Sequence, residues 1–312
     1  MVLTRLIFLV WGASAFKARD PYLAHRRPVS TLLKATSAEA INSLASSQAT
    51  TVQKIQTAIP ELEAKPDFTW KGNDVIVDSC PATLDALDAP GPANIAWLSS
   101  LSVENKMSSL QIYNGPLTDV PHLLSRCVVI GEDKLRLTID FRPRAYGAYE
   151  MRKPDGSYPG PDELGRKSFE YSGARSDYDK KFGTDEVKQF LASIPLEGAV
   201  PYDTPPSELD LLTRGPLYTC LDVPLTDGNI AAVVTAREKA ADFWLSWAQD
   251  SEHEHRPGAP INSQYVYDTK YKQNAFGALM NEYTSLFGTE GGKQLAIGDS
   301  GPLDEAYVGG AS

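Results

Sequence analysis

A chain of 312 residues, 42% hydrophobic and 22% charged, has ordinary globular composition, which excludes a fibre or bulk disorder and leaves room for one large domain or two small ones. Its formal charge of −10 argues against nucleic acid as a partner, because binding to a phosphate backbone depends on clustered Lys and Arg. The cysteines Cys80, Cys127 and Cys220 are odd in number, far apart and without a C-x-x-C pair, so they indicate neither a disulfide framework nor a zinc or iron–sulfur site.

The first residues, "MVLTRLIFLVWGASAFKARD", hold one early arginine, an apolar run from Leu6 to Trp11 too short to span a bilayer, and small residues suited to signal-peptidase cleavage. The following stretch to residue 35 is basic and rich in Ser and Thr, as organelle transit peptides are. Together they resemble the two-part leader of algae with secondary plastids, with "ASAF" (Ala13–Phe16) at the step between the parts. The expected location is therefore the plastid stroma, with plain secretion as the competing reading. Loss of residues 1–35 removes six of 30 basic and one of 40 acidic residues, leaving 24 against 39 and a net charge of −15. That balance also argues against a general membrane-surface role, and no transmembrane segment is expected in the mature chain.

Thr36 and Glu39 stand in capping-box spacing, and Ile41, Leu44, Val52, Ile55 and Ile59 fall on one helical face, which predicts a helix ending near Pro60. Strand patterns follow at Val75–Val77, Asn94–Val103, Ser108–Tyr113, Leu123–Ile130 and Lys134–Arg142. Their short connections, including Asn114–Gly115 and Gly131–Asp133, predict an antiparallel meander. Residues 143–183, rich in Gly, Pro, Tyr and charge, read as a long excursion over the sheet of the kind that carries function. A short helix "TDEVKQFLASI", a loop at Pro201–Pro206 and a strand "GPLYTCLDV" precede two helices. The first contains Ile230, Val233, Trp244 and Leu245, and the second runs through Phe276, Leu279, Met280, Tyr283 and Phe287 to a stop at Gly288. From Gly291 apolar residues are few, so 291–312 is expected to be a flexible tail after a single domain of 36–290. The expected fold class is α+β, with helices packed on an antiparallel sheet.

Two motifs are set aside. "GDSGP" at Gly298–Pro302 copies a serine-protease nucleophile segment but lacks a matching histidine segment, and His253–His255 sit in a polar loop where solvation is the ordinary state. No phosphate loop or dinucleotide fingerprint is present. The segment Lys134–Arg142 is more informative, because it alternates Leu135, Leu137, Ile139 and Phe141 with Arg136, Thr138, Asp140 and Arg142. A three-residue loop at Gly131–Asp133 sets Arg126 across from Thr138 and His122 across from Arg142, on the Arg/Asp face. A two-residue loop at Glu132–Asp133 moves both to the apolar side. That face is either a salt-bridged solvated surface or the wall of a site.

The order "IAWLSSLSVENKMSSLQIYNGPLTDVPHLLSR…DKLRLTIDFRPR", followed by "ARSDYDKKF", "REKAADFWLSWAQ" and "YDTKYKQNAFGALMNEYTSLFG", resembles the ferredoxin-dependent bilin reductase superfamily, which includes red chlorophyll catabolite reductase. The resemblance covers roughly Ile95 to Gly288 and contains no diagnostic short motif. It implies a three-layer α/β/α sandwich with a central antiparallel sheet and a linear tetrapyrrole between the sheet and the C-terminal helices. It also implies reduction of a bilin or an open-chain chlorophyll catabolite by single electrons from reduced ferredoxin, with no bound cofactor or metal. On this resemblance Asp140, His122 and Asp268 are the expected proton donors, Asp268 or Glu282 standing in for the acidic residue the family carries around the terminal helix. Arg126, Arg142 and Arg144 are the expected substrate-binding residues, Arg142 and Arg144 for the propionates. A basic patch for ferredoxin is expected among Arg126, Arg152, Lys153, Arg166 and Lys167. The chain departs from the family at Arg126, where a carboxylate is usual, and at the terminal helix, whose acidic residue does not align. These departures keep open a non-catalytic tetrapyrrole carrier on the same fold, and the acidic surface with the Tyr/Pro-rich excursion keeps open an assembly subunit of a photosynthetic complex.

Overall fold

Four helices begin on a side chain that accepts a hydrogen bond from an orphan backbone N–H, the local signal that starts a helix. Thr36 and Ser207 form capping boxes with Glu39 and Asp210 for α1 (Ser37–Ala58) and α3 (Glu208–Thr213). Thr184 and Thr226 cap α2 (Asp185–Ala192) and α4 (Asp227–Ala248). The computed structural model describes residues 36–89, 95–144, 178–202, 204–250 and 261–303. The leader of residues 1–35, Arg152, Lys153, Arg166, Lys167, His253 and His255 lie outside them.

Among the described residues nine strands form one antiparallel sheet: β1 (Glu63–Ala64), β2 (Trp70–Val77), β3 (Cys80–Ala89), β4 (Ile95–Val103), β5 (Met107–Asn114), β6 (His122–Ile130), β7 (Lys134–Arg142), β8 (Val200–Pro201) and β9 (Thr219–Pro224). The spatial order is β1-β3-β4-β5-β6-β7-β9-β8, with β2 also pairing along β3. The meander from β2 to β7 matches the expectation from short turns. β3 was not expected as a strand, because Pro81 and two aspartates interrupt its apolar pattern.

Helices cover both faces, as the α/β/α expectation required. On one face α1, α2 and α4 bury Leu98, Ile112, Leu123 and the apolar residues of β7 against Ile41, Leu44 and Trp244. On the other lie α3 and α5 (Ile261–Ser300), which bury Tyr271, Leu279, Tyr283 and Leu295 against Leu84, Trp97, Leu101 and Met107. α5 is not one rod. Gly288 has φ 75° and ψ 172°, and Tyr283 touches Asp299 sixteen residues later, where a straight helix would separate them by about 24 Å. Two legs therefore fold back on one another. This corrects the expectation of a flexible tail from Gly291. Residues through Ser300 are helical, Leu295, Ala296 and Asp299 are fully buried, and Trp97 Nε1 donates to Gly298 O at 3.1 Å. Among the described residues no helix is long and apolar enough to cross a membrane.

Candidate functional site

The β6–β7 hairpin closes on Gly131–Asp133, so Ile130 pairs with Lys134, Arg126 with Thr138 and His122 with Arg142. The three-residue loop is thus the one realised. It sets His122, Leu124 and Arg126 of β6 beside Arg136, Thr138, Asp140 and Arg142 of β7, on the face that α5 covers. That face is not solvated, since Asp140 is 0% exposed and Arg126 4%.

A cavity of about 270 Å³ opens between this wall, β9, α3 and the first leg of α5. Arg126, Arg136, Arg142 and Arg214 line it, with Tyr202, Tyr218, Cys220, Leu279 and Glu282. Each arginine has a carboxylate. Arg136 forms a two-bonded pair with Asp222 at 2.7 and 3.0 Å and stacks on Tyr202. Arg142 Nε donates to Asp140 Oδ2 at 3.0 Å, Arg214 lies 3.6 Å from Asp210, and Arg126 Nη2 pairs with Glu282. The backbone N–H of Gly215 also donates to Asp140 Oδ2 at 3.0 Å, which ties the loop after α3 to β7.

Arg126 continues into a buried network. Its Nη1 donates to Tyr283 Oη at 3.1 Å, and Tyr283 in turn donates to Asp299 Oδ2. Asp299 also accepts from Ser99 and Ser109 of β4 and β5, both at 2.7 Å. Burial works against the charge on Arg126, but Glu282, Tyr283 and Asp299 outweigh it and hold its pKa well above the ordinary guanidinium value. Burial pushes the Tyr283 phenol up as well, against the pull of Arg126, so it stays a donor.

His122 lies at the other end of the wall, stacked on Tyr271 at 4.9 Å between centroids. Its Nδ1 accepts from the Asn114 N–H at 3.0 Å, which fixes the proton of the neutral ring on Nε2. Burial, then Arg144, Arg142 and Lys272, hold its pKa well below the histidine range. His122 is therefore a neutral hydrogen-bond donor and not an imidazolium acid. Arg144 is 2% exposed and pairs with Asp268 at 2.5 Å. Burial lifts the Tyr271 phenol to about 12.

The predicted residues His122, Arg126, Asp140, Arg142 and Arg144 thus share one face, joined from α5 by Asp268 and Glu282. Only Arg126, Arg142 and Glu282 of these reach the cavity. Arg126, buried, is removed from the expected ferredoxin patch. Tyr283, Asp299, Ser99 and Ser109 were missed. The available signal was the pair of serines spaced among Trp97, Leu101 and Met107 on inward-facing strand positions, together with the aspartate of the discounted "GDSGP". Five buried nitrogens have no hydrogen-bond partner among the described residues: Gln111 Nε2, His122 Nε2, Arg126 Nε, and Arg144 Nε and Nη1. All are donors, and all belong to the α5 side.

The structure is therefore a three-layer sandwich with a polar, arginine-lined cavity between its antiparallel sheet and its C-terminal helix. Phytochromobilin synthase from tomato, crystallised in complex with biliverdin, shares this fold with a TM-score of 0.51 at 15% identity, over 81% of this chain and 81% of that one. No family model matches the chain, and no curated protein matches it in sequence.

Proposed function

We propose that the protein binds a linear tetrapyrrole against the β6–β7 wall and reduces it, in the plastid stroma, with electrons from reduced ferredoxin. The observation that carries the reading is the arginine-lined cavity under the C-terminal helix, on a fold shared with a protein crystallised with biliverdin. The family resemblance over Ile95–Gly288 supplies the ferredoxin, and the leader supplies the plastid.

Saturating one double bond takes two electrons and two protons. With electrons arriving singly from ferredoxin, the protein's part is to orient the pigment, exclude water and pass the protons. Of the expected proton donors Glu282 is the one that lines the cavity, while Asp140 is sealed behind Arg142 and Asp268 is joined to Arg144. His122 and Arg144 lie on the same face outside the cavity lining, where buried N–H groups of both have no partner among the described residues.

The test is an absorbance titration of residues 36–312 with biliverdin, followed by reduced ferredoxin. A red-shifted bound spectrum that then shifts stepwise supports the proposal, and Arg142→Ala, in the cavity wall, should weaken the binding. No change with biliverdin, its reduced derivatives or open-chain chlorophyll catabolites refutes it. One observation favours a carrier as the second reading: Arg126, a fixed cation, occupies the position where the family has a carboxylate. A bound spectrum that reduced ferredoxin leaves unaltered would establish that reading.

A further inference from the structure

Among the described residues the cavity's charge is already balanced before any ligand enters. Arg126, Arg136, Arg142 and Arg214 are matched by Glu282, Asp222, Asp140 and Asp210. Arg126 meets a second anion, Asp299, through the Tyr283 hydroxyl. A ligand carboxylate brought here would be a third negative group around one guanidinium, in a desolvated setting where like charges repel strongly.

Geometry points the same way. A carboxylate is held best by two parallel N–H groups of the guanidinium fork. Both terminal nitrogens of Arg126 are engaged, Nη1 by Tyr283 and Nη2 by Glu282. Nε is the cavity-lining arginine nitrogen that is buried without a partner among the described residues. Arg126 thus offers one buried N–H without a partner among the described residues, which fits one lone pair of a neutral acceptor. Leaving it unmet costs its desolvation, which a ligand oxygen would recover.

We infer that Arg126 is a specificity-determining residue whose Nε–H takes an uncharged carbonyl oxygen of the ligand, of amide, lactam or ketone type. The inference rests on the reading of the cavity as a tetrapyrrole site. It turns the pigment so that a lactam or ketone oxygen faces β6 while the carboxylates project away. The sequence-based expectation counts Arg126 among the substrate-binding residues without assigning it a group of the ligand.

The test compares biliverdin with its dimethyl ester, which keeps both lactam carbonyls and removes both charges. Expected are dissociation constants within about threefold of each other, and an infrared difference spectrum in which the lactam C=O band of bound biliverdin moves to lower wavenumber. The double variant Arg126→Gln/Glu282→Gln, chosen to avoid stranding Glu282, should weaken both probes alike by about tenfold. The infrared measurement uses the unaltered protein, so it holds even where the variant fails to fold. An ester that binds tenfold or more weakly, or a C=O band at its free-solution position, overturns the assignment while leaving the tetrapyrrole site standing. Failure of both probes to bind removes the site reading itself and this inference with it.

Discussion

Asp299→Ala is the sharpest probe of the way the C-terminal leg of α5 is held. The substitution removes the acceptor shared by Ser99, Ser109 and Tyr283, all 0% exposed. Ser99 keeps a second acceptor, the Asp299 carbonyl at 3.1 Å, so two hydroxyls are stranded outright. At about 1–3 kcal/mol for each buried unsatisfied group, the loss is about 4 kcal/mol once the lost charge-assisted bonding is included. That is a large part of an ordinary stability of about 5–15 kcal/mol. In urea, with a slope of about 2.5 kcal/mol/M, the midpoint should fall by about 1.5 M with the slope unchanged. Tyr283→Phe removes one of the stranded donors in advance, so Asp299→Ala should cost less in that background, by about 1 kcal/mol or more. A midpoint within about 0.4 M of the unaltered protein, or strict additivity of the two substitutions, would refute the network and return residues 291–300 to the status of a tail.

Three further outcomes follow from the same geometry. Gly288→Ala meets no atom within 4 Å, yet φ 75° with ψ 172° is a region almost reserved for glycine, so it should cost about 1–3 kcal/mol in urea unfolding, and a neutral result would mean the fold-back is not fixed there. At Gly215 a Cβ would stand 2.6 Å from Phe141 O and 2.7 Å from Asp140 Oδ1, so Gly215→Ala should cost about 1–3 kcal/mol and weaken biliverdin binding as the loop lifts off β7; unchanged stability and affinity together would show that the loop has slack. His122 stays neutral when folded and takes a proton near 6.5 when unfolded, so the unfolded chain binds more protons below that pH and stability falls on acidification. The loss should reach about 1.4 kcal/mol one unit lower and disappear in His122→Gln, as read by urea midpoints at pH 7.5 and 5.5; equal pH dependence in both proteins would sink the assignment.

The parts of the fold that were legible from sequence are those with a local rule. Alternation in β7 and helical spacing in α1 and α4 each follow from one short window, and the hairpin allowed only two registers. Within the site, the grouping of His122, Arg126, Asp140 and Arg142 was readable once a register was chosen. Its being buried was not, because burial depends on α5 lying across it. The second leg of α5 was invisible for a different reason. Residues 288–301, the leg and the residue after it, include five glycines, and two of them, Gly298 and Gly301, sit against the rings of Trp70 and Trp97, so this leg packs partly by having no side chain where an apolar stripe would be sought. Asp299 shows the limit most plainly, because its partner Ser109 lies 190 residues earlier and no spacing rule connects them.

That separation also sets a timetable. At about 5–20 residues per second of synthesis, Ser109 waits roughly 10–40 seconds for the aspartate that satisfies it. During that interval β4 to β7 can pair while their cavity-side face still lacks its roof, with Ser99, Ser109 and Arg126 open to water. The cavity therefore cannot be assembled in step with the sheet. It closes only after the segment through Asp299 has left the ribosome and folded back at Gly288, so a chain synthesised only as far as β7 is not a competent acceptor for any ligand.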